Sequence, residues 1–268
     1  VRRNTALITG ASSGIGYELA KLFARDGYSL VLVAKNESGL KRVSEELRCR
    51  YGVSVKWIRK DLSLPNMVEE LVDELEREAM TVNILVNNAG FGTYGPFTET
   101  DFDVERAMMQ LNMCSLTHLT KFFMKQMLAR GEGKILNVAS TAAFQPGPLM
   151  AVYYATKAYV LFFSEAIANE LRGTPVQVSV LCPGPTRTGF QQRAGTQSSI
   201  FFDWVAMDAE TVALAGYRGL MNNKLLIIPG MMNRVLAFGV RFLPRRLVTD
   251  IVRCLQGGRK TREKSKLI

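Results

Sequence analysis

Tyr153 and Lys157 stand four residues apart in the segment Tyr153-Tyr154-Ala155-Thr156-Lys157, and Ser140 precedes the pair by thirteen positions. On a helix, positions i and i+4 lie one above the other, so a phenol and an ammonium at this spacing can share one pocket. A phenol ordinarily titrates near ~10, and a neighbouring cation favours its anion. The pairing therefore predicts a Tyr153 hydroxyl shifted downward, able to give or take a proton near neutral pH. Tyr154 lacks such a partner, because its i+4 residue is Ala158. Ser140 ends the apolar run Ile135-Leu136-Asn137-Val138-Ala139. That run reads as a buried strand whose carboxyl end would present a hydroxyl able to hold a carbonyl oxygen. By itself the Tyr/Lys spacing is weak, since aromatic and basic residues share many helix faces. Its meaning rests on the elements that position it.

The first of these is Thr9-Gly10-Ala11-Ser12-Ser13-Gly14-Ile15-Gly16, which follows the apolar run Ala6-Leu7-Ile8 and precedes the amphipathic segment Tyr17 to Arg25. A strand, a glycine turn and a helix in that order bring unpaired N–H groups and a helix dipole to one point, where a dinucleotide pyrophosphate can sit. A strand-to-helix turn without a ligand is the plainer alternative. The second apolar run, Leu30-Val31-Leu32-Val33-Ala34, leads to Lys35 and Asn36. A carboxylate there accepts from a ribose 2′-OH, whereas a cation attracts a 2′-phosphate. Lys35 thus predicts NADP(H) over NAD(H), with Asn36 assisting; a solvated charge at a strand end is the other reading.

With the glycine loop and the Ser...Tyr-x-x-x-Lys set together, the chain resembles the short-chain dehydrogenase/reductase family, in its compact single-domain branch, over nearly the whole chain. The spacing T-G-x-x-x-G-x-G is that of this branch; the extended branch, with its epimerases and dehydratases, spaces its glycines T-G-x-x-G-x-x-G. Further family positions fall in order: Asp61-Leu62, Asn87-Asn88-Ala89-Gly90, Asn112 and Pro183-Gly184. The resemblance implies an oxidoreductase that interconverts a carbonyl and an alcohol. In it Tyr153 is the general acid/base, Ser140 holds the substrate oxygen, and Lys157 lowers the Tyr153 pKa, binds ribose hydroxyls and hands the proton to a water on Asn112. It also implies a cofactor set of Gly10, Ser12, Ser13, Gly14, Ile15 and Gly16 in the loop, with Asp61 and Leu62 bordering the adenine. Asn88, Ala89 and Gly90 would line the adenosine side, Thr186 and Thr188 the nicotinamide carboxamide, and Pro183 and Gly184 complete the set. Ser12-Ser13 departs from the many NADP-using members that carry a basic residue in this loop. A non-catalytic NADP(H)-binding regulator or scaffold of the same fold is the alternative, although binding alone does not need Asn112, Ser140, Tyr153 and Lys157.

A chain of 268 residues, 47% apolar and 22% charged, has the composition of a globular protein with a sizeable core. Apolar runs near 5–9, 29–34, 54–60, 83–88, 133–139, 176–182 and 224–228 alternate with helical stretches at 65–79, 102–130, 151–172 and 209–221. This alternation predicts an α/β fold: a Rossmann-type, doubly wound parallel sheet of about seven strands with helices on both faces. Ser63 is expected to cap the helix opened by Pro65, and Asp208 the helix over 209–221. The expected layout is a nucleotide-binding catalytic domain over 1–230, with a substrate lid at about 188–207. A helical extension and basic tail over 231–268 would belong to the same domain.

The lid segment carries Phe190, Ile200, Phe201, Phe202 and Trp204. An aromatic cover suits a hydrophobic ketone or aldehyde, lined by Phe91, Tyr94, Phe97, Phe144 and Gln145; simple packing of the lid is the alternative. The net charge of +10 is concentrated at the end of the chain, where residues 241–268 hold nine Lys or Arg against Asp250 and Glu263. Met231 to Leu243 is largely apolar, with Arg234 and Arg241 seven apart on one helix stripe, and wants cover. Packing in a homodimer or homotetramer is the favoured expectation, and peripheral contact with an anionic membrane the other. The arginines and Pro244 interrupt the segment too early for a span. No recognition motif accompanies the basic end, so nucleic acid is not an expected partner. Cys49, Cys114, Cys182 and Cys254 are scattered without metal-ligand spacing and read as reduced thiols of a cytoplasmic protein; no metal is expected. His118, the single histidine, reads as a helix-surface or packed residue. The start at Val1 implies a residue or segment upstream, and no stretch reads as a signal peptide.

Overall fold

The structure, a computed structural model, describes residues 4–190 and 206–256. Each apolar run becomes a strand: β1 (Thr5–Thr9), β2 (Ser29–Ala34), β3 (Val55–Arg59), β4 (Ile84–Asn87), β5 (Gly133–Val138), β6 (Val176–Leu181) and, after a small separate pair, β9 (Leu226–Ile227). They form one parallel sheet in the order β3-β2-β1-β4-β5-β6-β9. Helices cover both faces, which is why β1 is buried along its whole length rather than on alternate residues. Its Ala6 and Ile8 pack with Leu19, Leu40 and Val212 from α1 (Gly14–Arg25), α2 (Glu37–Tyr51) and α7 (Ala209–Met221). Its Leu7 faces Leu71 of α3 (Met67–Arg77) and Leu119 and Phe123 of α5 (Leu116–Arg130).

The chain runs from β1 through α1 to β2 and β3 on one side, then returns to place β4 on the other side of β1. The two connections diverge at the carboxyl ends of β1 and β4, and a crevice opens there. A polar spine crosses the sheet behind it. Asn87 and Asn137 are partners in register, and Asn87 Nδ2 donates to Asn137 Oδ1 and to Thr120 Oγ1, both at 2.9 Å. Asn137 Nδ2 in turn donates to Ser164 Oγ of α6 (Ala151–Glu170) at 3.0 Å. Asn87 is thus committed to joining strands to helices within the core.

Several boundaries depart from expectation. Asp61 Oδ1 accepts from both the N–H and the hydroxyl of Ser63, at 3.1 and 2.6 Å, which draws Ser63 into a turn of its own. Helix α3 therefore starts later, at Met67, and Asn66 stands at its N-cap with φ +62° and no side-chain capping bond. The stretch over 102–130 is not one regular helix: α4 (Phe102–Met109) passes into a π-helical segment, Gln110–Ser115, before α5. Asp208 does cap α7, accepting from Thr211 N. Beside it, β7 (Thr186–Arg187) and β8 (Met207–Asp208) pair at the base of the expected lid, whose Ile200, Phe201, Phe202 and Trp204 lie outside the described residues. The chain continues as α8 (Met231–Gly239), a 3-10 turn (Val240–Phe242) and α9 (Arg245–Gln256).

Candidate active site

The glycine turn after β1 is held in place from the far side of the crevice. Gly10 and Gly14 adopt φ of +66° and +58°, which glycine alone takes without strain. A Cβ on Gly10 would stand 2.8 Å from Asn88 Nδ2, and that amide donates to the carbonyls of Thr9 and Gly10 at 2.9 and 3.3 Å. Thr9 Oγ1 accepts from the N–H groups of Asn88 and Ala89, both at 3.0 Å. Asn88 and Ala89 therefore brace the loop, and Thr9, which sequence reasoning passed over, is the hydroxyl they share. Ser13 stands at the N-cap of α1 but its side chain makes no capping bond, so the first-turn amides, with Gly14, Ile15 and Gly16, form an anion-binding end. Thr188 reaches over this loop from β7, its methyl 3.2 Å from where a Cβ on Gly14 would lie.

Lys35 is exposed at the end of β2 and borders the same cleft as Ser12, Asn36, Asp61 and Leu62. Asn36 has a second duty, because its Oδ1 caps α2 by accepting from Gly39 N at 3.1 Å. Lys60 also borders this end, unforeseen from the sequence, but its ammonium pairs with Glu70.

At the other end of the cleft, β5 delivers Ser140 to the N-cap of a short 3-10 turn, where its Oγ accepts from Ala142 N at 3.1 Å and donates to Pro183 O at 3.4 Å. The first two turns of α6 bring up Tyr153 and Lys157, both buried. Lys157 Nζ donates to Val138 O at 2.9 Å and lies 5.9 Å from the centre of the Tyr153 ring. Burial decides the electrostatics. It pushes the Tyr153 hydroxyl well above its ordinary value, against a smaller downward pull from Ser140, and it holds the Lys157 ammonium down at about 8. The downward shift expected for Tyr153 is thus reversed in the protein alone, because the spacing argument counted the cation and not the desolvation both groups share.

Asn112 sits in the π segment with both of its amide hydrogens engaged. Oδ1 accepts from Phe91 N at 3.2 Å, while Nδ2 donates to Phe91 O and Thr156 Oγ1, both at 3.0 Å. Gly90 passes between it and the lysine: a Cβ there would stand 3.0 Å from Asn112 Oδ1 and 3.4 Å from Lys157 Nζ. Gly184 makes a similar close approach, 2.4 Å from its would-be Cβ to Asn233 Oδ1.

Asn233 is one of the residues the sequence reading missed, a buried amide in an apolar helix, and that contrast was its only signal. The larger omission is the wall built by 231–256. Val248, Ile251 and Val252 of α9 border the cleft beside Phe91, Tyr94 and Phe190. The last turn of α9 is clasped there, since Tyr94 Oη donates to Gln256 O at 2.8 Å and Gln256 Nε2 donates to Tyr154 Oη. Of the other expected lining residues, Gln145 borders the cleft. Phe97 is exposed outside it, and Phe144 packs against Ala139, Ala143 and Val180. Arg234 and Arg241 do not share one helix, since α8 ends at Gly239 and Arg241 lies in the 3-10 turn after it; Arg234 Nε donates to Ile228 O at 2.9 Å. Among the described residues no cluster of His, Cys, Asp or Glu could hold a metal ion. His118 lies half exposed, 3.4 Å from Glu69.

Known proteins agree with this architecture. The short chain dehydrogenase family profile matches residues 4–199. A short-chain dehydrogenase from Sphingobium yanoikuyae, solved with NADPH, is 33% identical and superposes with a TM-score of 0.81 over 89% of this chain and 92% of its own. A short-chain dehydrogenase/reductase from Burkholderia phymatum, solved with NAD, is 27% identical with a TM-score of 0.78 over 90% and 92%. The mouse 17-beta-hydroxysteroid dehydrogenase type 3 is 33% identical over 66% of this chain and 58% of its own. The chain spans less than two thirds of the length of several curated relatives, the mouse enzyme among them. This chain belongs to the short-chain dehydrogenase/reductase family.

Proposed function

We propose that this chain is an NADP(H)-dependent oxidoreductase interconverting a hydrophobic ketone or aldehyde and its alcohol. The observation that carries this reading is the meeting of Ser140, Tyr153 and Lys157 in one cleft with the glycine loop at the sheet's switch point. The loop fits a dinucleotide: two positive-φ glycines, an uncapped helix end and Lys35 follow one another along the cleft wall. When bound, a nicotinamide cofactor supplies or accepts the hydride. Gly10, Ser12, Ser13, Gly14, Ile15 and Gly16 would hold its pyrophosphate. Lys35 and Asn36 would hold the 2′-phosphate, Asp61 and Leu62 the adenine, and Asn88, Ala89 and Gly90 the adenosine side. Pro183, Gly184, Thr186 and Thr188 would border the nicotinamide.

In reduction, the hydroxyls of Ser140 and Tyr153 donate to the carbonyl oxygen, stabilising charge that develops there. The raised Tyr153 pKa keeps this hydroxyl protonated, the form a proton donor needs. Lys157, positioned by Val138 O, replaces the proton that Tyr153 gives up. A relay water on Asn112 would use its carbonyl or the remaining Oδ1 lone pair, since Phe91 and Thr156 occupy the amide hydrogens. Val248, Ile251, Val252 and Phe190 give the cleft its apolar wall, which favours an apolar substrate. The steroid chemistry in the name of the mouse relative points the same way. A panel of apolar and polar ketones and aldehydes with NADPH tests this, read as loss of NADPH absorbance. Tyr153→Phe is expected to bind NADPH as wild type does while turnover falls by about a hundredfold or more. Unimpaired turnover in that variant would refute the assignment, and NADPH binding with no turnover on any carbonyl would favour a binding-only protein.

A further inference from the structure

Residues 231–256 carry ten of the eighteen large hydrophobic side chains that are exposed among the described residues. Phe242 is the extreme, at 87% exposure, followed by Met231 at 74%. Leu247, Ile251 and Leu255 recur every fourth position and form an outward stripe along α9, while Val248 and Val252 on the neighbouring stripe are buried against the body. Helix α9 therefore buries one apolar stripe and exposes a second, which at Ile251 and Leu255 borders the cleft. A stripe of this kind on a protein surface needs an occupant.

Charge decides which occupant fits. Arg241, Arg245, Arg246 and Arg253 surround the stripe against Asp250 alone, and none of the four is ion-paired among the described residues. In the sequence, 257–268 adds Arg259, Lys260, Arg262, Lys264 and Lys266 against Glu263. A twofold contact through this face would set one copy's cations against the other's, which argues against the subunit packing favoured from sequence. A bilayer rich in anionic lipid meets both demands, with acyl chains for the stripe and phosphates for the arginines. No helix among the described residues is long and apolar enough to cross a membrane, so the contact is peripheral.

We propose that α8, the 3-10 turn and α9 dock on an anionic lipid surface, burying Met231, Phe242, Leu247, Ile251 and Leu255 at the headgroup boundary. Phe242, Ile251 and Leu255 also border the cleft, so docking turns its mouth toward the bilayer. The entry of an apolar substrate by that route rests on the proposed oxidoreductase function; the docking itself does not.

The test is flotation of the full chain with vesicles of phosphatidylcholine alone and with roughly a third phosphatidylserine. Two variants avoid residues that border the cleft: Met231→Glu with Leu247→Glu, and Arg245→Glu with Arg246→Glu. The wild type is expected to float with the phosphatidylserine vesicles, and about tenfold less with phosphatidylcholine alone or at high salt. Each double variant is expected to lose phosphatidylserine binding about tenfold with its circular dichroism and NADPH binding unchanged. No flotation of the wild type, or flotation that both folded variants retain, overturns the proposal. So does a concentration-dependent dimer in sedimentation that both variants abolish while vesicles bind nothing, which would identify a second copy as the occupant. NADPH turnover measured on the same samples separates the two readings: docking without turnover would refute only the enzymatic one.

Discussion

Lys35 shows how much one side chain can decide. It is the cation at the end of β2 that borders the cleft without an ion-pair partner among the described residues, since Lys60 nearby is held by Glu70 and Arg59 by Glu37. Lys35→Glu replaces attraction for a 2′-phosphate by repulsion and offers a ribose hydroxyl an acceptor. Its kcat/KM with NADPH is expected to fall about tenfold to a hundredfold while that with NADH rises, a result that steady-state kinetics with each cofactor would give directly. An unchanged NADPH preference would return Lys35 to the status of a solvated charge. At Tyr153 and Lys157 the residue types were legible in the sequence but their electrostatics were not. Helical spacing tells that phenol and amine are neighbours, whereas the direction of the Tyr153 shift depends on burial by Phe190 and the rest of the cleft wall.

Between elements, the loop after β4 and the loop after β1 act as one piece, because Asn88 and Thr9 bond across the crevice. Gly10→Ala tests this coupling. It pays both for a side chain at φ +66° and for a Cβ 2.8 Å from Asn88 Nδ2, whereas Gly52→Ala meets a similar φ of +62° with nothing within 4 Å of its Cβ. The Gly52 variant is expected to lose about 1 kcal/mol in urea unfolding from backbone strain alone. Gly10→Ala should lose about 1–2 kcal/mol more and weaken NADPH binding about tenfold in a fluorescence titration. Equal losses at the two sites would show that the loops are not coupled in this way. The π segment belongs to the same scale. An apolar period over 102–130 announces a helix, but the widened turn that brings Asn112 to both the N–H and C=O of Phe91 leaves no mark in that period.

For the whole molecule, burying Lys157 sets a pH dependence of stability. Its pKa falls from 10.5 in the unfolded chain to about 8 in the fold, so between those values the unfolded state binds more protons and stability rises with pH. The full shift corresponds to about 3 kcal/mol of cost carried at neutral pH. Tyr153 works in the opposite sense above pH 10, where the unfolded phenol ionises first and stability declines again. Urea midpoints are therefore expected to rise from pH 8 towards 10 and then turn over, and Lys157→Met should flatten the rise. A wild type with a flat profile from pH 8 to 10 would contradict the buried ammonium. The seven strands, their parallel direction and the glycine loop followed from the sequence alone, because apolar runs and glycines act locally and βαβ connections favour parallel neighbours. Only the tertiary structure decided what burial and distance govern: the reversed Tyr153 shift, the clasp of Gln256 by Tyr94 and Tyr154, and α9 as a wall of the cleft. Each depends on residues far apart in the chain, Tyr94 and Gln256 being 162 positions apart, and no local pattern encodes such a meeting.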